Sequence, residues 1–279
     1  MMTTTSTRRT PRRTLAYVVL SAVGVFAFAP AAWMLVTAFT ADSDIFQIPP
    51  SIGRQLTISH FADVLSNPVL LQFIANGFGV SIVTATLSVL VGCLAGYSFS
   101  KFRYSGRSGL MYLLLIAQMV PEVLLLLTLY TSFGKLGLLN TYAALVLSYA
   151  TFTLPLSVFM MKNTFDGLPD ELLEAARIDG GSEGRVLWSV ALPLVRTAMV
   201  AVGMFAFIRA WNDLVYSLTL VDTPKQTLPA GLTLTYLGEF QNQYGQMMAA
   251  SLISSLPVVV IFLMFQKHFT AGALAGSIK

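Results

Sequence analysis

The chain has 279 residues, 55% hydrophobic and only 11% charged, with a formal net charge of +4 and a single cysteine. Soluble domains carry about 25% charged residues, so this composition excludes a soluble globule, whose polar surface would need more charge than is present. Lipid instead demands long uncharged runs in which the backbone satisfies its own hydrogen bonds.

Residues 1–14 form a basic N-terminus containing Arg8, Arg9, Arg12 and Arg13. A cluster beside a membrane span is ordinarily topogenic, so no nucleic-acid partner is read from it. No charge lies between Arg13 and Asp42. The apolar run is too long for a secretory h-region, so 15–39 is predicted as a retained first span. An external loop, 40–72, follows, with turn formers Pro49, Pro50 and Gly53 and an interfacial segment from Ile58 to Leu65. The core is expected over 73–266. Uncharged gaps from Asp63 to Lys101, Lys135 to Lys162 and Glu239 to Lys267 each hold the roughly 20 apolar residues that a spanning helix needs, at 73–98, 140–161 and 246–266. Two more apolar stretches carry internal charge: 109–131 contains Glu122, and 197–220 contains Arg209 and Asp213. The prediction is an all-α membrane protein with six transmembrane helices and a tail at 267–279.

Six helices put both termini on one side. Thirteen of the 17 Lys and Arg fall on that side, in the N-terminus, the 101–108 and 162–196 loops and the tail, against three opposite: Arg54, Lys135 and Lys225. The positive-inside rule then predicts an N-in, C-in chain. Cys93 reads as a small packing residue, and with only His60 and His268 available no Cys/His metal cluster is expected.

Charges at membrane depth usually face the protein interior and are paired. Glu122 and Arg209 lie 13 and 12 residues beyond the starts of their helices, at about 20 Å by helical rise, so they can meet. Arg209 and Asp213 are also i,i+4 neighbours. Glu122, Arg209, Asn212 and Asp213 therefore read either as lining a translocation path or as structural ion pairs. Gly92 and Gly96 form a small-xxx-small pair suited to close helix packing.

The 162–196 loop carries its own pattern. Pro169 suits a first helical position, with Asp170 and Glu171 on the positive end of the dipole. Gly180 suits a left-handed cap. Ser182 can cap a second helix with Val186, Leu187 and Val190 on one face, ending at Pro193. Ala175 and Ala176 leave a short-side-chain patch beside the Glu174 carboxylate, a surface on which another protein can seat.

These residues resemble a known family. Glu174-Ala175-Ala176, three residues, Gly180, nine residues, then Val190-x-Leu192-Pro193 is similar to the EAA loop of binding-protein-dependent ABC importer permeases, with Val for the usual Ile. Asn140-Thr141, Trp211-Asn212-Asp213 and the tail from Ala271-Gly272 to Gly276-Ser277-Ile278-Lys279 extend the likeness to the second permease of maltose-type carbohydrate importers. Arg209 departs from the pattern. The resemblance implies a type I ABC importer permease fold in the cytoplasmic membrane. It also implies an EAA coupling helix docked on an ATPase through Glu174, Ala175, Ala176 and Gly180, with Leu192 and Pro193 closing the motif. The implied partners are a homologous second permease, a dimer of ABC ATPase subunits that binds ATP and Mg, and an extracytoplasmic solute-binding protein. The implied substrate is a carbohydrate, with a glycerol phosphate derivative as the alternative.

No phosphate-binding G-x-x-x-x-G-K-[ST] run occurs, since Gly134-Lys135 is followed by Leu136. The chain is therefore expected to hold no cofactor of its own and to be a transport subunit rather than an enzyme. The rival reading is an ion-coupled secondary transporter using Glu122 and Asp213 as a relay. It predicts internal repeats and broken helices, neither of which is read from the sequence, and it leaves the 162–196 loop unexplained.

Overall fold

The structure is a computed structural model describing residues 11–47, 56–237 and 243–275, with side chains from 15 to 266 within those ranges. Arg8, Arg9, Pro49, Pro50, Gly53 and the end of the tail, Gly276 to Lys279, lie outside the described residues. In chain order the helices are α1 (Pro11–Phe39), α2 (Ser59–Ser66), α3 (Pro68–Lys101), α4 (Arg107–Ala117), α5 (Glu122–Leu136), α6 (Tyr142–Asp166), α7 (Asp170–Ile178), α8 (Glu183–Val186), α9 (Leu192–Leu194), α10 (Arg196–Trp211), α11 (Val215–Leu220), α12 (Leu228–Tyr236) and α13 (Tyr244–Ala275). A π turn occupies Leu187–Ala191 and a 3-10 turn Thr223–Lys225. Among the described residues the architecture is all-α, with one isolated bridge from Thr40 to Leu56.

Among the described residues four helices are long and apolar enough to cross a bilayer: Leu15–Phe39, Pro68–Lys101, Tyr142–Asp166 and Tyr244–Gln266. They match the four spans expected from the uncharged gaps. The other two expected spans are not continuous. Residues 109–131 are divided between α4 and α5, whose axes differ by 101°. Pro121 lacks an amide hydrogen and drives Val120 away from helical geometry; the amides of Leu124 and Leu125 then start α5 on the Pro121 carbonyl. Residues 197–220 are divided between α10 and α11. Here the Asp213 carboxylate accepts the amides of Tyr216 and Ser217, each at 3.1 Å, and so begins a new helix.

The chain forms two compact units, Met1–Ser66 with Tyr236–Ile253, and Asn67–Thr235 with Ser254–Lys279. In the first, His60 is buried with Nδ1 3.0 Å from the Ala38 carbonyl and Nε2 3.3 Å from Asp42. Gln246 donates to Asp63 at 3.1 Å.

The second unit is organised around α3 and α6. Their seam is built from Ser81, Thr84, Ser88, Gly92 and Gly96 on one side and Ser148, Thr153 and Ser157 on the other, all buried. Small residues let two backbones approach where lipid gives no hydrophobic drive to associate. Ser88 and Thr153 share a hydrogen bond of 2.8 Å. A side chain at Gly96 would meet Met161 Cβ at 2.7 Å and Lys162 N at 2.8 Å, so the expected small-xxx-small contact is the α3–α6 seam. Cys93 is buried in the same region, packed rather than exposed.

Candidate functional site

The EAA segment folds as a helix, turn and helix. α7 begins one residue after Pro169, with Asp170 and Glu171 in its first turn. Gly180 takes φ +83°, the left-handed conformation expected of it. Gly181 is needed for a second reason, because a Cβ there would lie 2.6 Å from the Ala176 carbonyl oxygen. Ser182 accepts the Arg185 amide and starts α8. The second helix runs through the π turn to Leu194, one residue beyond Pro193. Pro193 cannot donate to the carbonyl four residues earlier. The widened turn, closed by the Leu192 amide on the Leu187 carbonyl, accommodates it. The chain then bends by 79° at Val195 into α10.

This loop stands on a packed base. Leu173, Val186, Leu187, Leu192 and Val195 share one core with Cys93, Tyr97, Met161 and Phe165. Arg177 Nε donates to Glu183 Oε1 at 2.7 Å, binding α7 to α8, and this bond raises the Arg177 pKa. Lys101 donates to Asp170 at 2.6 Å, which holds the Asp170 carboxyl below its ordinary range. The outer face is bare: Glu174 and Ala175 are exposed, Leu172 is 48% and Ile178 86% exposed, and Glu174 has no hydrogen-bond or ion-pair partner among the described residues. Ala176 is half-buried against the base.

The second cluster sits at the helix breaks. Glu122, in the first turn of α5, pairs with Arg209, in the last turn of α10. Each charge lies on the helix end that its sign complements. Sequence spacing brought these two residues together, but as mid-helix neighbours rather than helix ends. The expected i,i+4 contact of Arg209 with Asp213 does not form, because α10 stops at Trp211 and residue 213 leaves its face. Asp213 instead accepts the Tyr149 hydroxyl at 2.9 Å along with its two amides. Tyr216 donates to the Glu122 carbonyl oxygen at 2.7 Å. Asn212 is exposed and donates back to the Ile208 carbonyl. Glu122, Tyr149, Phe152, Arg209, Asn212 and Asp213 line a cavity of about 420 Å³.

Tyr149, Tyr216 and Phe152 were not singled out by sequence, although a tyrosine inside an apolar span signals a hydroxyl needing a partner. The Asn140-Thr141 pair also acquires a role. Asn140 adopts φ 58° and accepts Lys225 Nζ at 2.7 Å, while Thr141 Oγ1 accepts the Ala144 amide at the start of α6. Asn76 donates to the Pro224 and Gln226 carbonyls, each at 3.0 Å, and completes the stitch.

The chain is 33% identical over 253 residues to the trehalose/maltose transport system permease protein MalG of Thermococcus litoralis, covering 90% of this chain and 91% of the relative. It is 31% identical to the galactooligosaccharides transport system permease protein GanQ of Bacillus subtilis over the full length of both. The fold is similar to that of a solved bacterial ABC transporter involved in the import of the acidic polysaccharide alginate, with a TM-score of 0.77 and 20% identity, covering 96% of this chain and all of that one. The model of the family described as binding-protein-dependent transport system inner membrane component matches residues 88–274. A helical chain with an EAA loop on a packed base, matched over most of its length, thus belongs to the family of binding-protein-dependent transport system inner membrane components.

Proposed function

We propose that this chain is one permease half of an ATP-driven carbohydrate importer, with both termini in the cytosol and α7 seated in a groove of an ATPase subunit. The sugar assignment is supported by the names of relatives such as MalG and GanQ. The observation that carries the coupling reading is Glu174: a carboxylate without a partner among the described residues, beside exposed Ala175, Leu172 and Ile178, on a helix whose other face is anchored in the core. A charged acceptor ringed by small and apolar residues suits a basic partner that can approach closely.

In this reading a second, homologous permease completes the path, a solute-binding protein delivers the sugar, and ATP with Mg is bound by the partner ATPases. Driving a two-state permease from 1:99 to 99:1 needs about 5.5 kcal/mol of differential binding, which closure of an ATPase dimer on α7 can supply. The cavity at the helix breaks, with Phe152 and Tyr149 beside Glu122, Arg209 and Asn212, lies on the path. Its aromatic and planar polar groups suit a polyol. Reconstitution with the ATPase subunits and binding protein tests the coupling. Glu174→Lys should abolish ATP-dependent sugar uptake while the protein still inserts and folds, and uptake at the wild-type rate would overturn it.

A further inference from the structure

Away from the loop and the helix breaks, a second cavity opens where α3 turns into α4. Its volume is about 400 Å³, and its lining includes Arg103, Arg107, Lys162, Tyr104, Ser108 and Tyr112 but, among the described residues, no carboxylate. We propose that it is a binding site for the headgroup phosphate of an anionic phospholipid.

The first argument is charge. Arg103 has no hydrogen-bond or ion-pair partner among the described residues. Arg107 donates through Nη1 to the Phe102 carbonyl at 3.1 Å, which leaves most of its guanidinium donors open. Lys162 alone is neutralised, by Asp166, whose other oxygen accepts Ser100 at 2.7 Å. Lys162 and Arg107 share Asp166, and the carboxylate that feels Arg103, Asp170, is itself paired with Lys101, so an entering anion would relieve the mutual repulsion of the three cations. Guanidinium groups bind phosphate oxygens in a bidentate fashion.

The second argument is position. The cavity lies at the ends of two spanning helices, α3 and α6, where headgroups sit. Tyr104 and Tyr112, 40% and 65% exposed, have the amphipathic character of residues at that level. α4 buries none of its side chains, and Leu113 and Ile116 are 62% and 60% exposed along the helix leading from the cavity. A molecule that is anionic at one end and apolar along its length matches both surfaces, as in other basic pockets between membrane helices. A free phosphate matches only the first.

The test uses the assembled importer in detergent, incubated with equimolar dioleoylphosphatidylglycerol and dioleoylphosphatidylcholine and analysed by native mass spectrometry. Phosphatidylglycerol should be retained in preference. Arg103→Gln, which breaks no bond within the described residues, should lower that retention about fivefold, with a similar further loss in Arg103→Gln/Arg107→Gln. Equal retention of the two lipids, or unchanged phosphatidylglycerol retention in Arg103→Gln, would overturn the assignment and leave the cluster a topogenic one. Loss of retention in excess inorganic phosphate would overturn it in favour of a soluble anion. If the double variant does not assemble, the single one decides.

Discussion

Gly96→Ala should loosen the α3–α6 seam, and the size of the effect can be worked from the geometry. The new Cβ would lie 2.7 Å from Met161 Cβ and 2.8 Å from Lys162 N, where ordinary contact begins at 3.4 Å. Both obstacles sit on the α6 backbone or at its root, so no side-chain rotation relieves them, and the helices must part by roughly 0.7 Å. Overpacking of this kind costs about 1–3 kcal/mol. The separation also strains the buried Ser88–Thr153 bond, 2.8 Å long, whose loss adds about 1 kcal/mol. Gly92→Ala is the internal control. Its Cβ would meet Ser157 at 3.2 Å, a shortfall that a small shift absorbs, so its cost should stay below about 1 kcal/mol. Unfolding in mixed micelles, driven by sodium dodecyl sulfate and followed by loss of helical dichroism, measures both. A Gly92→Ala variant as destabilised as Gly96→Ala, or a neutral Gly96→Ala, would refute the seam geometry.

The ion pair at the helix breaks is half-exposed, Arg209 at 45% and Glu122 at 50% of the side chain. A double-mutant cycle with Glu122→Gln and Arg209→Gln should therefore give a coupling of about 1 kcal/mol, and a coupling of zero would show that the pair is incidental. Asp213→Asn keeps a carbonyl oxygen for Tyr149 and the two amides, so thermal unfolding should show a smaller loss than in Asp213→Ala, which orphans them at about 1–3 kcal/mol. Asp170 has a folded-state pKa below its unfolded value because of Lys101. Its contribution is thus present above the ordinary carboxylate pKa of about 4 and fades as pH falls through the depressed folded value. The protection of α7 amides, taken relative to the intrinsic exchange rate at each pH, should fall on that acidification, and Asp170→Asn should remove this acid dependence.

Four spans were legible because uncharged length is a one-dimensional signal that needs no knowledge of neighbours. The helix-turn-helix of the EAA loop was legible for the same reason, since Gly180 and Ser182 act through their own backbone. The breaks at Gln118–Pro121 and Asn212–Leu214 were missed because a hydropathy window scores apolar content and ignores local chemistry. Their signals were nonetheless present. Pro121 disfavours helix at the residue before it, and adjacent Asn212 and Asp213 compete for backbone amides. Treating 197–220 as one helix also produced the i,i+4 pairing of Arg209 with Asp213, which disappears once the helix ends. Tyr149 and Asn76 act through partners more than 60 residues away, a relation that no local pattern contains.

The base beneath α7 has a mechanical consequence. Leu173 is wedged among Val186, Met161 and Phe165 with essentially no exposed surface, and close-packed interiors compress very little. A displacement imposed on α7 therefore cannot be absorbed by local rearrangement, as it would be in a tethered loop. It is handed first to α8 and the π turn, the elements against which α7 packs, and through the shared core to the ends of α3 and α6, so the short helix behaves as a handle on a stiff body.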